Sequence, residues 1–168
     1  PFGLLGWYEG VPAQPERPEC VYRFDPATGQ TTVVTDAVAR PNGLCFSPDE
    51  QLLYVVESGA TPKRIRVFDV ADDGTLTKDR GVFTCEPESA PDGFRVDVDG
   101  NLWAGWGTGE GQDGVRIFAP DGETIGRIHL PERCANLCFG GRNRNRLFMA
   151  ASQSVYALYV NTQGAVGG

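Results

Sequence analysis

The chain has a single histidine, no Cys-x-x-Cys pair and no excess of basic residues. It also has no apolar run near the roughly 18 residues that a membrane-spanning helix needs. Each absence removes a class of function. His129 falls in a stretch predicted to be an outer strand, so histidine-based nucleophilic catalysis has no support. Net charge is −7 and the pI is near 4.7. Without a basic run to neutralise phosphates, nucleic acid and anionic lipid are excluded as partners, and a small neutral or cationic ligand fits better. No charged-then-apolar signal segment opens the chain. The five cysteines are odd in number, and Cys45 and Cys138 sit in strands expected to be buried. They read as reduced core thiols, which favours a cytoplasmic address. Cys134 and Cys138 make a poor metal pair, because strand residues four apart lie about 13 Å from each other.

What is present is a rhythm of turns and short strands. With 22 glycines and 12 prolines, the chain reads as all-β. Its organising stretch is Arg40-Pro41-Asn42-Gly43-Leu44-Cys45-Phe46, echoed by Pro91-Asp92-Gly93-Phe94-Arg95-Val96. Proline fixes the approach and glycine permits a tight turn, so the Asn42 amide and the Asp92 carboxylate are expected where a strand begins. Two such turns on one face could share a cation. A second strand with a central aromatic follows each, in Leu52-Leu53-Tyr54-Val55-Val56 and Leu102-Trp103-Ala104. A third copy, Ala135-Asn136-Leu137-Cys138-Phe139, lacks the Pro-[Asn/Asp]-Gly turn. Leu44, Phe94 and Leu137 recur at spacings of 50 and 43 residues. Short strands repeating every 40 to 50 residues, approximately, are the mark of propeller blades.

Taken in order, residues 1–40 supply the outer half of a blade, 41–90 a complete four-stranded blade, 91–133 a second, and 134–168 most of another. Residues 1–168 are therefore expected to form a single, incomplete β-propeller of about three to four blades. Such a set cannot close a ring and would leave strand edges open. The chain is accordingly expected to be part of a larger protein, and alone neither active nor a well-folded monomer. The Asp-Gly hairpins at Asp73, Asp99 and Asp121 need no role beyond turning the chain.

With RPNGLCFSPD, LLYVVESG, PDGFRVDVDGNLWAGWG and CANLCFGG in view, the sequence resembles the gluconolactonase and regucalcin (senescence-marker protein) family of six-bladed propellers. The resemblance implies a divalent metal, calcium or zinc, at one mouth of the central channel. Its ligands are an early glutamate, an asparagine in a Pro-Asn-Gly turn and an aspartate in a Pro-Asp-Gly turn. The last two map onto Asn42 and Asp92, and the glutamate has no counterpart here. The implied reaction is metal-dependent hydrolysis of a sugar lactone.

That chemistry suits the residues. Water attacks an ester carbonyl and negative charge builds on its oxygen, which a hard cation held by oxygen ligands can stabilise. Asp92 is the candidate general base, because a carboxylate can take a proton from water and an amide cannot. Arg40, Glu9, Trp7, Trp106 and Asn136 fall in loops expected on the same side and are candidates to line a polyol pocket. The alternative is a non-catalytic propeller that binds calcium, a small ligand or a protein partner, since this architecture serves unrelated functions.

Overall fold

The computed structural model describes residues 16–107 and 111–166. They contain thirteen strands arranged in four antiparallel sheets. The first sheet pairs β1 (Val21–Asp25) with β2 (Gln30–Thr35). The second is a meander of β3 (Pro41–Phe46), β4 (Leu52–Glu57), β5 (Arg64–Val70) and β6 (Leu76–Thr84). The third repeats it with β7 (Pro91–Val96), β8 (Leu102–Trp106), β9 (Gly114–Phe118) and β10 (Thr124–His129). In the fourth, β11 (Cys134–Gly140), β12 (Arg146–Ala151) and β13 (Val155–Tyr159) follow the same order.

Hydrophobic patterning explains how the sheets stack. β4 and β8 are apolar almost without interruption, because each is covered on both faces. Alternate side chains of a strand point to opposite faces. Leu53 and Val55 accordingly join Val21, Val38 and Phe68 in a core against the first sheet. Tyr54 and Val56, from the other face, join Phe94, Val96, Leu102, Ala104 and Trp106 in the core between the second and third sheets. Trp103 turns the opposite way and packs with Leu137, Leu147 and Met149 of the fourth. Successive sheets also meet at their first strands, β3 beside β7 and β7 beside β11. Face-to-face meanders with their first strands together form an incomplete β-propeller.

Coverage is incomplete on the outer face of the fourth sheet and on the face that β3 turns toward the first. Leu44 and Phe46 of β3, and Val155 and Tyr159 of β13, are exposed apolar side chains. Cys138 belongs with them: it was expected in a buried strand, but alternation turns it to the exposed face of β11 while Leu137 takes the core side.

Asp97, just past β7, holds the hairpin to β8. Its buried carboxylate accepts the backbone N–H groups of Asp99 (3.0 Å) and Asn101 (2.9 Å). It also accepts the Asn101 side-chain amide (3.0 Å) and the Trp103 indole N–H (3.0 Å). The C-terminal segment pairs alongside, Val98 N–H donating to Gln163 and Ala165 N–H to Val96.

Candidate metal and substrate site

Asn42 and Asp92 lie within their strands, where turns had been expected. In β3, Pro41 pairs with Glu57 but Leu44 pairs with Val55, so one extra residue bulges around Asn42-Gly43. β7 does the same around Asp92-Gly93, where Pro91 pairs with Trp106 and Phe94 with Ala104. β11, which lacks the motif, is also bulged between Cys134 and Asn136. A bulge bends the strand and re-aims the side chain at its crest.

The role expected of the glycines changes accordingly. Neither Gly43 nor Gly93 has a positive φ. Both are required by close approach instead. A Cβ on Gly43 would fall 2.3 Å from the backbone oxygen of Asp92, and one on Gly93 would fall 2.4 Å from Oδ1 of Asn136. The bare glycines let β3, β7 and β11 lie against one another, which brings the two side chains together. Asn42 Nδ2 donates to Asp92 Oδ1 at 3.0 Å. Turning the amide over would put its oxygen at the same place.

The approach to Asn42 is fixed from behind by Glu57, at the end of β4. Its buried carboxylate accepts the Ala39 N–H at 2.9 Å and pairs with Arg64 and Arg66. Burial pushes its pKa up, but the Ala39 N–H and the two arginines outweigh that and leave it below the usual glutamate range. The chain then turns through Arg40, whose φ of 49° lies in the left-handed region.

Asp92 is half-buried, and its pKa is raised. Desolvation is the largest cause, opposed by the Asn42 hydrogen bond, the Arg133 charge, the Gly93 N–H and the Lys63 charge. Arg133 Nη2 stands 3.7 Å from Asp92 Oδ2. The sequence reading missed Arg133, although it precedes Leu137 by the same four residues that separate Arg40 from Leu44.

The other candidates divide. Asn136 is exposed, lies against Gly93, and accepts the Leu137 N–H at 2.8 Å through Oδ1. Arg40 is exposed at the entry to β3. Trp106 departs from expectation: it is the last residue of β8, not part of a loop, and is only 1% exposed. Its ring is packed among Arg116 and Phe118, so it presents no face to a ligand. Trp7 and Glu9 lie outside the described residues.

Among the described residues, no group of three or more His, Cys, Asp or Glu side chains gathers that could hold a metal. What does gather is an amide and a carboxylate in contact on adjacent first strands, which between them offer one neutral and one anionic hard oxygen donor. That chemistry suits part of the shell of a hard divalent cation.

These sheets define the fold class as an incomplete propeller. A family model described as the SMP-30/gluconolactonase/LRE-like region matches residues 6–153, and the chain belongs to that family. It is 34% identical over 153 residues to a gluconolactonase of Zymomonas mobilis, covering 86% of this chain and 41% of the relative. A solved gluconolactonase structure from Xanthomonas campestris superposes with a TM-score of 0.76 at 37% identity, covering 89% of this chain and 47% of that one. The structure of a calcium-binding protein, regucalcin, from Agrobacterium tumefaciens shares the fold, with a TM-score of 0.72 at 23% identity over 86% of this chain and 53% of that one. The chain thus spans about half the length of the relatives it matches.

Proposed function

We propose that the protein opens a sugar lactone by hydrolysis, with a divalent cation, calcium or zinc, held in part by Asn42 and Asp92. The observation that carries the reading is the 3.0 Å contact between these two side chains across adjacent first strands, in a chain of the gluconolactonase family. A bound cation would polarise the lactone carbonyl and lower the pKa of a nearby water. Asn42 would contribute its amide oxygen and Asp92 its carboxylate.

The remaining work falls to the chain's own side chains. Asp92 would take a proton from the attacking water, because its carboxylate stands beside Asn42 and can accept a proton where the amide cannot. Arg133 sets the charge beside it, and the exposed Asn136 amide on Gly93 offers a hydrogen bond to a sugar hydroxyl. A cytoplasmic address is the finer reading of location. It is supported by free, buried thiols that burial pushes up, Cys85 to about 12 and Cys134 to about 11.

The test is proton release from a hexonolactone in a pH-stat, for the protein that carries this chain, with calcium or zinc and after chelation. Hydrolysis above the spontaneous rate that disappears on chelation and returns with the ion is expected. A rate at background in the presence of bound metal would leave only a binding protein.

A further inference from the structure

Both carboxylate oxygens of Asp92 are engaged within the chain. Oδ1 accepts from Asn42 at 3.0 Å, and Oδ2 faces the Arg133 guanidinium at 3.7 Å. Lys63 adds a second positive charge within electrostatic reach. The carboxylate thus lies in the field of the nearby Arg133 and, more weakly, of Lys63, positive charge that works against a divalent ion.

Arg133 is not free to leave. Its carbonyl accepts the Ser152 N–H at 3.0 Å, and Cys134, next along, pairs with Ala151 in the ladder. Its stem lies across Gly107, where a Cβ would fall 2.2 Å from the arginine Cγ. The guanidinium itself is held loosely. It reaches Asp92 through one nitrogen at a distance too long for a hydrogen bond, and its buried Nε has no partner. A bidentate arginine–carboxylate pair is strong, whereas a single long contact yields to a better cation.

We infer that Arg133 is a built-in competitor for the cation at Asp92, so that it sets how tightly the site takes a divalent ion. The inference rests on the reading of Asn42 and Asp92 as metal ligands. Its end group stands 3.7 Å from the second carboxylate oxygen in the ion's absence and gives way as the ion enters. Its fixed base keeps a positive charge nearby afterwards. Affinity is thereby weakened without a change in the ligands, and the exchange is fast because only the last bonds of one side chain rotate.

The test is isothermal titration of the protein with calcium and, separately, zinc at low ionic strength. Arg133→Gln and Arg133→Met both keep a stem over Gly107 and remove the charge. Each is expected to bind the ion more tightly by on the order of tenfold, with the gain shrinking as salt screens the repulsion. Arg133→Lys keeps the charge and is expected to bind like the unaltered protein. Asp92→Asn is the control for the ligand reading and is expected to lose most of the binding. If the neutral variants bind no more tightly while Asp92→Asn loses the ion, the competitor role is wrong and the metal site stands. If Asp92→Asn binds normally, or no form binds either ion, the ligand reading fails and the inference falls with it. Thermal unfolding of each variant keeps a folding defect from passing as weak binding.

Discussion

The backbone oxygen of Asp92 lies where a side chain at Gly43 would begin: a Cβ there would stand 2.3 Å from that oxygen and 3.0 Å from the Cα of Gly93. The obstacle is main chain, so relief requires β3 and β7 to separate. Gly43→Ala is expected to destabilise the protein by about 1 to 3 kcal/mol, the usual cost of overpacking. Gly93→Ala meets the exposed Asn136 side chain first, which can turn away at the loss of its bond from the Leu137 N–H, and is expected to cost less. Urea denaturation of the two variants checks the order; equal stability of Gly43→Ala and the parent would contradict it.

Asp92 keeps its proton to a higher pH in the folded state than in the unfolded one, where its value is near 3.8. The folded state therefore binds more protons in that window, and stability falls as pH rises through it. Above the window the ionised carboxylate is a net cost to folding. In the absence of metal, Asp92→Asn is expected to melt at a higher temperature than the parent at pH 7, with the difference closing below about pH 4. Calorimetric melting curves between pH 3 and pH 7 would show it. A lower melting temperature for the variant across that whole range would refute it.

If Asp92 both holds the ion and takes the proton, its two contributions separate at saturating metal. Asp92→Asn is expected to reduce lactone hydrolysis by about 100- to 10,000-fold under those conditions. Asn42→Asp keeps an oxygen ligand and adds charge, so it is expected to lose less. Near-normal turnover of Asp92→Asn would move the base role to another group.

Asp97→Ala removes the acceptor of four hydrogen bonds, leaving the Trp103 indole N–H and two backbone donors unmet. A loss of about 2 to 4 kcal/mol is expected, with a shifted tryptophan emission reporting the changed setting of Trp103. Asp97→Asn keeps the shape and part of the acceptor capacity and is expected to fall between the two. An Asp97→Ala protein as stable as the parent would sink the assignment.

Much of this architecture is legible in the sequence because the information is local. The run over β4 is apolar and ends at turn residues, and that strand falls where the pattern puts it. β6, from Leu76 to Thr84, has no apolar pattern to mark its start, because register shifts opposite β5 and a glycine at φ 124° carry the ladder through polar residues. The site was harder to read. Asn42 and Asp92 stand out by their motif, but the purpose of the glycines beside them depends on the neighbouring strand, which no local signal reveals. Trp106 sits among glycines that suggest a loop, and only the packing of the second sheet against the third buries it. Arg133 carries no motif and shows itself only by register with Arg40.

β4 and β8 each serve two cores, one on either face. Loosening one interface therefore removes support from a strand that also holds the next, and disorder passes from sheet to sheet instead of staying local. In amide-exchange terms, the protons of β4 and β8 should open only with the whole stack, while those of β2 and β13, each at the end of a sheet, exchange through partial fraying.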